Sequence, residues 1–248
     1  MEYYHTGKYP IEILKTENMN KKFEMHNHAR HYVISIVKKG SVNVCLNGVW
    51  KRFVVGEYFI VSPLEPHAVY LEENEKVITM CIGKSLIEEC ELFELDTILK
   101  ELLENAVQDN ILTIEESKCF SQALQKIYKN HAGKTKAIES PIEELTERIA
   151  DFPEEVLPLN KMAEECYLSK YYLVRKFKKG TGLTPHQFHI QNRIRKAQHL
   201  LRKGYSVVKV SVKMGFYDQS HFNKYFQKIV GISPIEYIAS KRSIEEIK

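Results

Sequence analysis

The stretch "FQKIVGISPIEY", residues 226–237, matches "FKKGTGLTPHQF", residues 177–188, at an offset of 49 positions (226 − 177). An aromatic, a lysine, a glycine, an aliphatic residue, a small hydroxyl, a proline and a closing aromatic fall in step. Reading backwards from each proline gives the same object twice. Ser169 can cap a helix "KYYLVRKFKK" in which Leu173 and Phe177 point inward at i and i+4. Asp218 can cap "QSHFNKYFQKIV", with Phe222 and Phe226 in the matching places. A short helix precedes each: "LNKMAEEC" leads through Tyr167-Leu168, and "VVKVSVKM" through Gly215-Phe216-Tyr217. Helix, tight turn, helix is the element whose second member enters the major groove of DNA. The two copies are joined by "TPHQFHIQNRIRKAQHLLRKG", read as one longer helix starting at Pro185.

Charge follows the repeat. Between Val156 and Arg242 there are 17 Lys+Arg against 4 Asp+Glu, whereas the whole chain is only +4. The remainder is therefore acidic, and a basic block of this kind fits a polyanion. At 248 residues the chain can bury a core in each of two modest domains. The start "MEYYHTGKYPIEILK" has no signal-peptide pattern, and no apolar run has the length of a membrane span. Five scattered cysteines without a C-x-x-C pair point to a reducing compartment, so the expected location is the cytoplasm.

Residues up to Gly83 read as β structure. "HYVISIVKKG" is β-branched and aromatic, and "SVNVCLNGVWKRFVV" alternates around Asn47-Gly48, a strong hairpin signal. Many short strands without intervening helices imply a sandwich or barrel. The period then changes: Leu95, Ile98, Leu99, Leu102 and Val107 lie at helical spacing, and Thr113-x-x-Glu116 opens a second helix as a capping box. "HAGKTKAIESP" reads as a linker. The expected divisions are 1–84, 85–141 and 142–240.

The stretches "GFYDQSHFNKYFQKIVGISPIEY" (215–237) and "LSKYYLVRKFKKGTGLTPHQF" (168–188) resemble the AraC/XylS family of bacterial transcription regulators over roughly residues 142–240. Two positions depart from the family pattern: Tyr167 stands where the first unit usually has a turn glycine, and Ser211 where the second usually has alanine. The resemblance implies an α+β chain: an N-terminal cupin-like β-barrel, a helical linker region, and a C-terminal all-α domain with two helix-turn-helix motifs. Double-stranded DNA and a small-molecule effector are the partners it implies, with RNA polymerase and a second copy of the chain as further candidates.

Helical geometry then selects the side chains that face DNA. Ser169, Lys170, Tyr171, Val174, Arg175 and Lys178 form the outer stripe of the first recognition helix. Gln219, Ser220, Asn223 and Lys224 form that of the second, with His221 beside them as an ambiguous DNA-binding candidate. The Arg175 fork suits guanine, Gln and Asn suit adenine, and Lys224 suits a phosphate.

In the β region, "HNHARHYVISIVKKGSV" and "GEYFIVSPLEPHAV" look like the two cupin motifs. They bring His26, His28 and His67 forward as ligands of an organic effector or of zinc, iron or nickel, with His31 and Cys81 as spares. Alternation along one strand would aim His26 and His28 into the barrel together. The acidic ligand of the motif is missing, since Val33 or Tyr32 stands there, and this favours an organic-ligand pocket or a merely structural role over a divalent metal. No catalytic residue is assigned. The competing readings are a cupin metalloenzyme fused to a DNA-binding domain and an alkylation-repair protein, the latter lacking the clustered thiolates it needs.

Overall fold

The computed structural model describes residues 1–6, 9–90, 92–131 and 140–244. The strands come first: β1 (Glu2–His5), β2 (Ile11–Glu17), β3 (Lys21–His26), β4 (His31–Lys39), β5 (Ser41–Leu46), β6 (Val49–Val54), β7 (Tyr58–Val61), β8 (His67–Leu71) and β9 (Lys76–Gly83). The helices α1 (Lys84–Glu89), α2 (Leu92–Gln108) and α3 (Ile114–His131) follow. The C-terminal part holds α4 (Pro141–Asp151), α5 (Leu159–Glu165), α6 (Lys170–Thr181), α7 (Pro185–Arg202), α8 (Val207–Lys213), α9 (Gln219–Val230), α10 (Pro234–Ala239) and a last strand β10 (Lys241–Ser243).

Two sheets form the barrel, in the orders β10-β1-β2-β9-β4-β7 and β3-β8-β5-β6. Val33, Val37, Phe59, Val61 and Val77 of the larger sheet meet Val42, Val44 and Leu71 of the smaller one between the layers. The alternate residues of β4, Tyr32, Ile34 and Ile36, point the other way and are buried as well. Their cover is α2 and α3, through Leu95, Ile98, Leu99, Leu102, Phe120, Leu124 and Ile127. That is why β4 reads as a nearly unbroken apolar run rather than an alternating one. It also means that the apolar stripe of α2 is buried inside the chain.

Local signals act where the sequence puts them. Asn47 and Gly48 both have positive φ, 50° and 82°. The two-residue turn between β5 and β6 requires that sign at both positions. The Thr113 amide donates to the Glu116 carboxylate at 2.8 Å, and the Glu116 amide donates back to the Thr113 hydroxyl. The segment read as a linker falls largely at 132–139, outside the described residues.

The C-terminal part contains two small cores. Leu173, Phe177, Leu183 and Phe188 pack with Ile142, Leu145, Ile149 and Met162. Phe222, Phe226, Val230 and Tyr237 pack with Ile190, Ile194, Val210 and Met214. From α4 to α10 this part is helical, as expected of residues 142–240. After α10 the chain returns to the barrel, and β10 pairs in parallel with β1, Tyr3 opposite Lys241. Three residues are too few for a recognisable period, so only the tertiary pairing defines this strand.

Candidate functional site

The two recognition helices are built by the same devices, residue for residue. The Ser169 hydroxyl accepts from the Tyr172 amide at 3.3 Å, and the Asp218 carboxylate accepts from the His221 amide at 2.7 Å. Each helix ends on a left-handed glycine, Gly182 at φ 75° and Gly231 at φ 100°. A Cβ would be strained at either position. A capping box with proline at its first turn then opens the next helix, Thr184-Gln187 before α7 and Ser233-Glu236 before α10, which satisfies two orphan amides at each start. Leu173, Phe177, Phe222 and Phe226 are fully buried. Their burial leaves Ser169, Lys170, Tyr171, Arg175 and Lys178 exposed on α6, with Val174 half-buried. On α9, Gln219, Ser220 and Lys224 are exposed, while His221 and Asn223 are half-buried. The His221 ring lies edge-on to Phe216 and Tyr225, which makes it part of the helix packing first.

Both glycine caps rest on the barrel. A Cβ on Gly182 would meet Pro66 at 2.5 Å, and one on Gly231 would meet Phe23 and Met1 at 3.3 Å. The Asn27 side chain donates to the Thr181 carbonyl at 2.7 Å, beside the first cap. The Tyr3 hydroxyl donates to the Val230 carbonyl at 3.3 Å, beside the second, and its ring packs edge-on against Tyr237. Arg30 pairs with Glu147 and Asp151 of α4, and Lys228 of α9 pairs with Glu24 of β3.

Between the caps runs α7, which lies over the mouth of the barrel. Its residues at i, i+4 and i+11 reach across. Gln191 donates to the Asn27 carbonyl at 2.6 Å, Arg195 donates to His28 Nδ1 at 3.1 Å, and Arg202 pairs with Glu12. A third arginine, Arg193, ties the units to each other: it donates to the Pro153 carbonyl at 2.8 Å, to the Glu155 carbonyl, and to the Gly215 carbonyl in the second turn.

Beneath Arg195 lies a cavity of about 110 Å³. His26, His28 and His67 line its mouth, with ring centroids 4.1–5.3 Å apart. The route of His28 to this place differs from the expected one. β3 ends at His26, with its register broken between Phe23 and His26, and His28 reaches the cavity from the following loop. Asn27 between them is fully buried, its side chain donating to the Thr181 carbonyl of α6 and accepting from Gln191 of α7. His31 and Cys81 lie nearby, and Cys81 lines the same cavity.

Hydrogen-bond partners fix the tautomers of the trio. His26 Nδ1 and His67 Nδ1 face the Glu24 and Glu65 carbonyls at 2.7 and 3.0 Å and must carry the proton there. His28 Nδ1 accepts from Arg195, so its proton sits on Nε2. All three are held neutral. Burial first, then the neighbouring His67, holds His26 well below the usual imidazole range. Burial and then the Arg195 guanidinium do the same for His28. Burial, partly offset by the bond to Glu65, pushes His67 down to about 4.

A family model described as a helix-turn-helix domain matches residues 162–240. The HTH-type regulator MtrA of Neisseria gonorrhoeae is 35% identical over 94 residues, 38% of this chain and 31% of that protein. The C-terminal unit is a helix-turn-helix domain of the AraC/XylS family. The HTH-type transcriptional regulator YbfI of Bacillus subtilis (strain 168) is similar over more of the chain, 24% identical over 236 residues and 85% of each protein. The crystal structure of ToxT from Vibrio cholerae O395 shares the fold: TM-score 0.60 at 15% identity, over 94% of this chain and 97% of that one.

In this AraC/XylS-type domain the departure at Tyr167 is resolved by the backbone. Tyr167 takes the left-handed conformation that Gly215 takes in the second unit, φ 55° against 68°. Its side chain is 92% exposed, so the cost is local strain rather than a clash. Ser211 hides its hydroxyl by donating to the Val208 carbonyl at 2.8 Å.

The cupin-type trio fits a metal ion poorly as arranged. The candidate ligand atoms lie within 4.8 Å of one another. That spacing alone does not exclude a metal, and the objection is chemical. Val33 lines the cavity, Tyr32 is turned to the α2–α3 side, and neither supplies a carboxylate. Ligation by His28 through either nitrogen would also break its bond to Arg195. Protein purified without a histidine tag is therefore expected to carry well under one equivalent of zinc, iron or nickel by elemental analysis. One equivalent that disappears in a His26/His28 double variant would make the trio a metal centre instead.

The residues that sequence reasoning missed are Gln191, Arg193, Arg195 and Arg202. The available signal was polar spacing at i, i+4 and i+11 on a helix whose other side, Ile190, Ile194, Ala197 and Leu201, is buried and apolar, the pattern of a two-faced helix. Among the described residues no helix is long and apolar enough to cross a membrane.

Proposed function

We propose that this chain is a sequence-specific DNA-binding transcription regulator whose barrel senses a small ligand. One observation carries the reading: the helix that joins the two recognition units also closes the mouth of the barrel cavity. The recognition helices are held at both glycine caps by the barrel, so a change at the mouth reaches the spacing between them. An effector acts by binding one docking geometry better than another. Two major-groove insertions by one chain need recognition helices about 34 Å apart along the DNA.

The assignment of base-reading side chains belongs to this proposal. Arg175 is exposed in mid-helix on α6 and is the strongest candidate for a bidentate guanine contact. Tyr167 and Tyr217, 92% and 93% exposed at the two turns, are added to the interface as candidates for phosphate contact.

Band shifts with genomic fragments at modest ionic strength test the reading. Selective retention of some fragments over random competitor is expected, and its absence, with and without cell extract supplying an inducer, would overturn it. With a retained fragment in hand, Arg175→Ala is expected to cost about 1–3 kcal/mol and to relax preference at one base pair. An equal loss on every sequence would make Arg175 a backbone contact.

A further inference from the structure

The outermost ridge of α9 runs off the helix onto the barrel. Phe222, Phe226 and Val230 are buried, so the opposite row, Ser220, Lys224 and Lys228 at i, i+4 and i+8, faces outward. Lys224 and Lys228 line an open cleft of about 620 Å³ whose far wall is β3 and whose end is the first turn of α7. Lys228 pairs with Glu24 at 2.8 Å, and Lys21 donates to the Gln227 carbonyl at 3.2 Å. The ridge that starts at a DNA-facing serine therefore ends on the edge strand of the smaller sheet.

Charge in the cleft is one-sided. Lys21, Lys22, Lys224 and Lys228 line it against one acid, Glu24, a balance of +3 (4 − 1). The full chain of 248 residues carries only +4. Lys228 takes up the acid. Lys22 is exposed, and among the described residues its one ring, ion-pair or hydrogen-bond partner is the Tyr70 ring, 5.4 Å from Nζ to centroid. The first turn of α7, at His186 and Gln187, adds the positive end of a helix dipole. Like charges gathered in this way repel one another, and a polyanion relieves the repulsion.

Local roles do not account for the whole set. A cation at the last turn of a helix offsets its dipole, and Lys21 does this for α9. Lys22 stands one residue further along the strand and is bonded to no helix carbonyl among the described residues. The matching seat of the first unit has no lysine. There Gly182 rests on Pro66, and the residue beside that proline is Glu65, which is bonded within the barrel to Asn47 and the Ser62 amide. Seating a glycine cap on the barrel therefore needs no cation. Lysine also blunts a free sheet edge, a role that leaves DNA binding untouched.

We infer that β3 is part of the DNA interface. Lys22, with Lys21 beside it, contacts backbone phosphates of the duplex that α9 enters, on the stretch between the two major-groove segments. The position follows from the walls of the cleft, which are Leu183 and His186 at the end of the first unit and the outer ridge of α9 in the second. This rests on the reading of the chain as a DNA-binding regulator. It gives the barrel a direct share of the grip, one that positions the duplex and carries no base information.

The salt dependence of duplex binding by the full chain tests it, on a genomic fragment retained in band shifts. Each phosphate contact adds about 0.9 to the steepness with which log K falls against log salt. Lys22→Gln is expected to lower the slope by about 0.9, and Lys21→Gln with Lys22→Gln by up to about 1.8. The deficit of the single variant should shrink about threefold between about 50 and 200 mM salt. Lys22→Arg should keep the wild-type slope. The loss should be equal on every fragment and on random competitor, with base preference unchanged. Ethylation of phosphates between the two segments should interfere with the wild-type chain, and one or two of those positions should fall silent in the paired variant.

An unchanged slope in Lys22→Gln would overturn the inference and leave edge protection as the role of that lysine. A loss confined to one base sequence would overturn it as well. So would an equal drop when Lys100→Gln and Lys118→Gln are combined, since these exposed lysines of α2 and α3 remove the same charge from the far side of the larger sheet. The ethylation map of the wild-type chain needs no variant, and a map with no interfering phosphate between the segments counts against the inference by itself. Selective retention with an unchanged slope removes this inference alone, whereas the absence of any retained fragment removes the regulator reading and its extension together.

Discussion

Phe226→Ala is expected to destabilise the second helix-turn-helix unit by about 3–5 kcal/mol, the usual cost of emptying a fully buried phenylalanine site. The ring is inaccessible to solvent and contacts Phe222 and Tyr237 at centroid distances of 5.5 Å each. The same cluster contains Tyr3 of β1, so the cavity would lie at the seam between the unit and the barrel as well as inside the unit. Urea denaturation should show a lower midpoint. Footprinting on a retained fragment should show the protection contributed by α9 lost before that contributed by α6. A change below about 1 kcal/mol, far under the usual cost of such a cavity, would mean that the aromatic cluster is not what holds α9 in place. Phe177→Ala, at the matching position in the first unit, should mirror the result on α6, since Phe177 is equally buried and packs on Phe188 at 5.4 Å.

That position was legible from spacing alone, and the reason is physical. Leu173, Phe177, Phe222 and Phe226 sit one helical turn apart inside segments delimited by their own caps, Ser169 to Gly182 and Asp218 to Gly231. The information needed is therefore local. Asn47-Gly48 and Thr113-Glu116 are legible on the same grounds. Arg195 and Arg202 were not, because a polar residue on a long helix looks solvated until another part of the chain covers it. Their partners His28 and Glu12 lie in the distant N-terminal strands and loops. His26, His28 and His67 converge as the motif suggests, but strand alternation gives the wrong reason for His28, which the loop after β3 delivers. β10 was illegible for a third reason: Lys241–Ser243 is a strand only because β1 offers an unpaired edge.

Acidification should undo the docking at the mouth. An unfolded histidine titrates near about 6.5. In the folded chain His31 and His67 are pushed down to about 4, His31 by burial and then Arg195, His67 by burial opposed by its bond to Glu65. His26 and His28 are lowered too. The unfolded chain therefore takes up protons that the folded chain refuses. Stability from this source is whole above about pH 6.5 and declines as pH falls from there toward 4, by up to about 1.4 kcal/mol per pH unit for each histidine.

The charged and titratable groups around the trio decide where the strain goes. Arg195 approaches from α7, Cys81 from β9 and Glu12 from β2, and Glu12 is already held by Arg202. A proton on His28 must displace the Arg195 hydrogen bond, because both would claim Nδ1. The first structural loss is then the contact between α7 and the barrel. Denaturation at pH 7.5, 6.0 and 5.0 should show the decline, and His67→Gln should flatten it by roughly 1 kcal/mol per pH unit in the lower interval. Arg195→Gln should flatten it as well, by relieving the repulsion that keeps protons off His28, His31 and His67. A pH profile identical in wild type and both variants would place the acid sensitivity outside the barrel mouth.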